Sequence, residues 1–392
     1  RCSATGNENH KETHGGAVYL SQANEQSITE ENYERLSGNT FIDCHSIKSG
    51  GAIFVHCYDE FNRKRSIRDI DDDDHKYVVS IDDSIFTECS SEVEGGAISS
   101  GSTIEYTEGK PIIVGTNDMK IAGCTFTLCQ SGRGGALFFQ DGDKEGDEET
   151  VIDGCHFYEN YATGETHEGY AISCRSYQVT VRNCDFHDHH AGGFQIGTTT
   201  TKGCIVYIET NEPEVQPYIS NLEFDNINGV SGLVVNVSST KVVTVSKLRF
   251  NNIRGEAPCI NLDLWEAKTF VQIEYSIFTN VISSRCVMST IDNHQIQVKL
   301  FKCQFENNSL LITDGGDNMN PDIMIKPLGG SLYLQGDAEA FITQCNFTNS
   351  SSILGGGAIY AEARSIELSV NRFVRCSATG NENHKETHGG AV

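Results

Sequence analysis

Apolar and polar residues alternate with a period of two in short runs along this chain. Ile260, Leu262 and Leu264 alternate with Asn261 and Asp263, and the same pattern runs through Leu233, Val235 and Val237, through Val242, Thr244 and Ser246, and through Val179 and Val181. A helix would need apolar residues at i, i+3, i+4 and i+7, so the runs predict short β-strands bounded by glycine or asparagine. A phenylalanine followed within three residues by Cys or Asn recurs at Phe41, Phe86, Phe126, Phe157, Phe186, Phe224, Phe250, Phe278, Phe305, Phe347 and Phe373. The steps range from 26 to 45 residues, and several lie between 26 and 29. A unit of that length holds three short strands and three turns, which is one rung of a parallel β-helix, and the longer steps carry loop insertions. The expected fold is therefore all-β: a parallel β-helical solenoid with about three short strands per rung and about eleven rungs.

Glycines mark the corners of these rungs. GGA precedes an aliphatic residue at Gly15 to Val18, Gly50 to Ile53, Gly95 to Ile98, Gly134 to Leu137, Gly356 to Ile359 and Gly389 to Val392, with variants at Gly169, Gly192, Gly229 and Gly329. Sharp bends need the positive φ angles that glycine reaches without a Cβ clash. Residues 1–18, RCSATGNENHKETHGGAV, recur letter for letter as residues 375–392. Residues 1–374 thus read as one tandem repeat unit and 375–392 as the start of the next, with 1–392 forming a single continuous β-helix. The alternative is a duplicated terminus.

GGAI at 50, 95 and 356, GGAV at 15 and 389, GGAL at 134, and FxxN at Phe157 to Asn160 and Phe305 to Asn308 resemble the polymorphic outer-membrane-protein repeats. The resemblance spans nearly the whole chain, although residues 200–330 keep only the Phe. FxxC replaces FxxN at Phe41, Phe86, Phe126 and Phe373, as in protist surface versions of the repeat, and no membrane-anchoring β-barrel lies in this window. The resemblance implies a right-handed helix and an extracellular or cell-surface location, often as an adhesin. The wider fold also hosts pectin-lyase-like enzymes, and fold analogy alone does not choose among these roles.

Most of the 15 cysteines fall into two series. Cys44, Cys89, Cys129 and Cys376, with Cys2 as the repeat of Cys376, lie three residues after Phe, whereas Cys124, Cys155, Cys184, Cys303 and Cys345 lie two before it. A residue two before Phe faces the core with it, and equivalent positions in successive rungs stack about 4.8 Å apart. The ladders read either as small buried hydrophobes or as inter-rung disulfides formed in an oxidising compartment. Disulfides favour Cβ separations of about 3.8 Å, so bridging requires a local pinch. No CxxC pair points to zinc. Asn226, Asn252, Asn280, Asn307 and Asn349 form an expected asparagine stack at a turn.

The formal net charge of −25 argues against nucleic acid and anionic membrane surfaces as partners. No 18-residue apolar stretch is present to insert in a membrane, and the chain opens at Arg1 with neither an initiator methionine nor a signal-peptide pattern. Two insertions are carboxylate-dense: Asp69 with Asp71, Asp72, Asp73 and Asp74, and Asp141, Asp143, Glu145, Asp147, Glu148 and Glu149. Asp71 to Asp74 are weak calcium candidates without the DxDxDG spacing and closing Glu of a calcium loop, and no other cofactor or metal is expected. His187 and His189 should share one face, but the sequence places no third ligand beside them.

Asp43, Glu88, Glu159 and Asp188 share the position two after Phe with Leu128 and Asn226, which marks a tolerant turn rather than a tuned carboxylate pair. There is no GxSxG motif, and no catalytic residue is expected. Of four N-glycosylation sequons, alternation sets Asn236 and Asn346 outward, while Asn307 and Asn349 fall in the asparagine stack.

These features point to a non-enzymatic, fibre-forming surface or extracellular protein whose partner is itself, end to end through tandem continuation and also laterally. A second reading is a surface adhesin or display stalk that binds a receptor or glycan through insertions concentrated before Phe86, Phe126 and Phe347, with a smaller one before Phe224. A carbohydrate-active enzyme is a remote third.

Overall fold

In a computed structural model the chain is all-β, a parallel β-helix with no helical segment among the described residues. The structure describes residues 2–4, 15–21, 32–56, 77–101, 105–107, 110–112, 117–140, 149–163, 169–176, 178–189, 204–210, 217–228, 231–237, 242–255, 259–264, 270–283, 287–290, 296–310, 329–352, 355–379 and 390–392. Two compact units contain them: residues 1–184 with 208–215, and residues 185–207 with 216–392.

In the first unit, four columns of parallel strands are built up rung by rung. Long strands Asn32–Ser37, Tyr77–Asp82, Asn117–Ala122, Glu149–Asp153 and Gln178–Arg182 pair in register. Each of the first four leads into a three-residue strand centred on phenylalanine: Thr40–Ile42, Ile85–Thr87, Thr125–Thr127 and His156–Tyr158. Strands after the glycine corners, from Val18–Ser21 through Ile53–His56, Ile98–Gly101 and Leu137–Gln140 to Ile172–Arg175, form the third column. Between the phenylalanine strand and the corner runs a further segment of two or three residues, as in Cys44–Ser46 and Ser90–Ser91.

The second unit repeats this plan. Its phenylalanine strands are Asp185–His187, Glu223–Asp225, Arg249–Asn251, Ile277–Thr279, Gln304–Glu306, Asn346–Thr348 and Arg372–Val374. The strands Leu332–Thr343 and Ile359–Ser369 each run through two columns, with a register shift between Gly336 and Glu339.

The phenylalanine module has one backbone form throughout. Three residues before each of the eleven phenylalanines, and again two residues after it, the backbone is left-handed with φ between +48° and +67°. Two such residues around a three-residue strand turn the chain on both sides of the ring. Nine of the eleven phenylalanines are at most 1% exposed. Complete burial of such a ring contributes about 1.5–3 kcal/mol, so the series dominates the core. Within each unit successive rings stack with centroids 4.7–5.1 Å apart and planes 1–11° from parallel.

The paired glycines do two different jobs. Gly50 takes φ +66°, a region L-residues rarely adopt, whereas a Cβ on Gly51 would sit 2.0 Å from the Gly96 carbonyl oxygen of the next rung. The first glycine therefore supplies the bend and the second the space for rungs to stack at the corner.

Candidate functional site

The chemistry-bearing side chains lie in ladders, so their surroundings repeat from rung to rung. Phe41, Phe86, Phe126 and Phe157 form the ring stack of the first unit, and Phe186, Phe224, Phe250, Phe278, Phe305, Phe347 and Phe373 that of the second. Cys89, Cys129, Cys124, Cys155, Cys184, Cys303 and Cys345 are buried thiols outside any disulfide, and Cys376 is a half-buried one. Cys44 is buried in the same column as Cys89.

From Cys89 onward each ladder thiol points at a carbonyl of the preceding rung: Cys129 Sγ lies 3.8 Å from Phe86 O, and Cys155 Sγ lies 3.6 Å from Ile121 O, whereas Cys44 Sγ lies 3.7 Å from Ile42 O of its own rung. Where asparagine takes these positions it does more. Asn160 accepts from the Cys129 backbone N–H at 2.9 Å and donates to Phe126 O at 3.0 Å. Asn308 does the same with Val281 N–H and Phe278 O, and Asn371 with Cys345 N–H and Ile342 O. FxxN and FxxC thus describe one interior slot that ties adjacent rungs, through two hydrogen bonds with Asn and one weak contact with Cys.

The thiols also sense one another. Cys129 beside it, with burial, holds Cys89 far above the usual thiol range. Burial together with Cys124 and Cys184 raises Cys155, and Cys345 together with burial raises Cys303. Cys124 and Cys345 are pulled down by the neighbouring thiol that would donate to their thiolates. A fully buried thiol held protonated is a poor nucleophile, so the raised members of each ladder serve packing.

Outside the helix a second ladder follows the turn after phenylalanine. Asn280 donates to Asn252, Asn307 to Asn280 and Asn349 to Asn307, at 3.3, 3.3 and 2.9 Å. Asn226 donates to Asp188, and Asp225 Oδ1 accepts from both Asn251 and Asn252. Asn226, Asn252, Asn280, Asn307 and Asn349 are exposed and left-handed, a conformation Asn tolerates because its short polar side chain bonds locally. Asp43, Glu88, Leu128 and Glu159 occupy the same turn in the first unit.

His187 and His189 do not share a face. His187 is half-buried on the outside, 3.5 Å from Asp185 and 3.9 Å from Asp225, whereas His189 is fully buried with its ring centroid 6.5 Å from that of Phe186. The left-handed Asp188 between them breaks the alternation that the sequence pattern assumed. Among the described residues no three or more His, Cys, Asp or Glu side chains are grouped to hold a metal ion. Asp71, Asp72, Asp73 and Asp74 lie outside the described residues, as does the second acidic insertion up to Glu148.

The Asn346 side chain is exposed at the edge of its phenylalanine strand. That of Asn236, in strand Ser231–Val237, lies outside the described side chains. Asn307 and Asn349 are exposed as well, but their amides are engaged in the ladder.

Sequence reasoning missed the left-handed position three residues before each phenylalanine. Gly38, Asp83, Gly123, Gly154, Asn183 and Asn221 carry a readable signal there, since glycine, Asp and Asn favour positive φ, but Lys247, Tyr275, Lys302, Gln344 and Val370 carry none. It also missed an aromatic column on the third strand series, where Tyr19 lies 5.6 Å from Phe54 and Tyr333 lies 5.7 Å from Tyr360. No helix among the described residues is long and apolar enough to cross a membrane. No family model, curated protein or solved structure matches this chain.

Proposed function

We propose that the protein is a structural, fibre-forming component of a cell surface or extracellular matrix, made of tandem β-helical repeats stacked end to end. The observation that carries this reading is the unvarying phenylalanine module together with the exact return of residues 1–18 at 375–392. A solenoid whose rungs contact only their neighbours lengthens by adding rungs, and a repeat that restates its own beginning supplies them in register. The interior positions carry packing side chains, and the outward turn after phenylalanine passes from Asp43, Glu88, Leu128 and Glu159 to a hydrogen-bonded asparagine ladder. That distribution suits a scaffold better than a catalyst. The resemblance to surface repeats with GGA and FxxN motifs supports the extracellular placement.

Electron microscopy of native full-length material tests this. A fibre should diffract at about 4.8 Å and, for eleven rungs per copy, show an axial repeat near about 53 Å. Isolated short particles lacking the long repeat would overturn the fibre.

A second reading, a display stalk whose insertions bind a receptor or glycan, is favoured by one observation. In the first unit, residues 57–76, 102–116 and 141–148 all leave the rung at the same place, between the strand after the glycine corner and the next long strand. Insertions that share an exit suit recognition. Deleting residues 57–76 should leave fibres intact and abolish ligand capture on this reading, whereas loss of lateral bundling alone would favour the fibre.

A further inference from the structure

We propose that Tyr360, Ile366, Leu368 and Phe373 form a docking face that is covered by residues 18–21 and 32–42 of a second copy of this chain, so that adjoining copies share one rung without a break. This rests on the tandem reading above and adds to it the residues that make the joint.

The shared 18-residue segment pairs through opposite edges in its two occurrences. In the first, the amides of Gly15, Gly16, Ala17 and Val18 donate onward to Ser49 O, Gly50 O and Ala52 O. In the second, Ala391, the repeat of Ala17, accepts from the amides of Ala358 and Ile359. The short strand behaves likewise: Cys2–Ala4 pairs with Cys44–Ser46, whereas Ser377–Ala378 pairs with Ser351–Ser352. Superimposing the two occurrences gives one rung hydrogen-bonded on both sides, so neither edge is left as an open template for indiscriminate pairing.

Side chains follow the same register. Val392 repeats Val18, so the residue after it in a continuing copy is Tyr19, placed over Tyr360. Tyr360 already stacks on Tyr333 and Tyr19 already meets Phe54, at 5.7 and 5.6 Å, so the joint completes an aromatic column from Tyr333 to Phe54 of the next copy. Phe373, 5.0 Å from Phe347, and Phe41, 4.9 Å from Phe86, are the two half-exposed members of the eleven-ring series and stand at its two ends. Ile366 and Leu368 are 38% and 40% exposed, although Ala340 and Ile342, which they pair with one rung earlier, are 1% and 0% exposed. Leu36 stands five residues before Phe41 as Leu368 does before Phe373, and it is the side chain that would cover Leu368.

The test is a protein of two joined copies that carries Leu368→Ala in either the first copy, at the joint, or the second, at the open end. At the joint the substitution should raise the unfolding equilibrium constant at least about thirtyfold, as for a buried leucine. At the open end the change should stay below about threefold. Equal, small effects at both places would overturn the proposal. Should the joint variant not fold, amide exchange of the unsubstituted two-copy protein, with its first copy isotopically labelled, gives the answer. Residues 375–379 of the first copy should exchange at least about a hundredfold more slowly than those of the second, and equal rates would overturn the joint. A protected joint without native fibres would sink the fibre reading alone, and fibres with an unprotected joint would sink this one alone.

Discussion

The rungs from Thr40 to Arg175 and those from Tyr218 to Leu310 share one backbone and fill it differently. Both place Phe between two left-handed residues and stack the rings. The first set turns three corners on paired glycines and the fourth on Gly169 with Tyr170, and it sets Cys44, Cys89 and Cys129 three residues after Phe. The second has Val230, Ser231 and Ala257, Pro258 in place of glycine pairs and buries Ile227, Ile253 and Val281 where the thiols were. Outside, the first set carries Asp43, Glu88, Leu128 and Glu159 at the turn after Phe, whereas the second has the hydrogen-bonded asparagines. Rung shape therefore belongs to the φ pattern and the ring. The slot beside the ring is filled by thiol, amide or aliphatic side chains alike.

The corners offer the sharpest way to break this comparison. A Cβ on Gly96 would lie 2.1 Å from Gly135 O and 2.5 Å from Gln130 N, both backbone atoms of the next rung. Gly96→Ala should cost more than about 4 kcal/mol in urea unfolding, while Cys259→Ala, at a corner of the second set, should cost about 1 kcal/mol. Comparable losses would show that the corners are equally adaptable.

Next comes the asparagine slot that both sets use. Asn160→Ala and Asn308→Ala each strand a buried N–H and a buried carbonyl of the preceding rung, at Cys129 and Phe126 and at Val281 and Phe278. Each should cost about 2–3 kcal/mol by chemical denaturation. A loss confined to one of them would mean that the two interiors depend differently on their ties.

The thiol-filled set should also carry an alkaline liability. Cys89 has a folded pKa raised above its ordinary 9.0, so above pH 9 the unfolded chain sheds a proton that the folded one keeps. Stability is then fully present below pH 9 and falls by about 1.4 kcal/mol per pH unit for this thiol as pH climbs towards the folded value. Cys89→Ala should flatten that slope in unfolding curves between pH 8 and about 11. An unchanged slope would remove Cys89 as its source.

The smallest effects lie at the exposed turns and should have opposite signs. Leu128→Asn in the first set relieves a branched side chain at φ +54° and should stabilise by about 1 kcal/mol. Asn280→Ala in the second loses two 3.3 Å amide bonds, to Asn252 and from Asn307, and the residue type suited to φ +54°, and should destabilise by about as much. Thermal melts of the two variants check both.

Rung, strand and core were legible because phenylalanine occupies the same inward position every time, and a repeated inward aromatic is a periodic signal that insertions do not erase. The corners were legible for the same reason through Gly50, Gly95 and Gly134. The turn before phenylalanine was not, because Lys247, Tyr275 and Val370 have no preference for it and are held there by parallel pairing on either side. His189 was misplaced because alternation holds only while the chain stays extended, and Asp188 does not. The choice between thiol and disulfide depends on side-chain geometry that spacing does not encode.

The phenylalanine module always spans the same six residues, from one left-handed position to the other. All variation in rung length therefore falls elsewhere: residues 57–76 separate two strands that residues 176 and 177 alone separate three rungs later in the same column. The chain is in effect a ruler with margins. A foreign peptide spliced into the 57–76 margin would be held at a known rung without altering any graduation, and a graft inside the six-residue span would erase one.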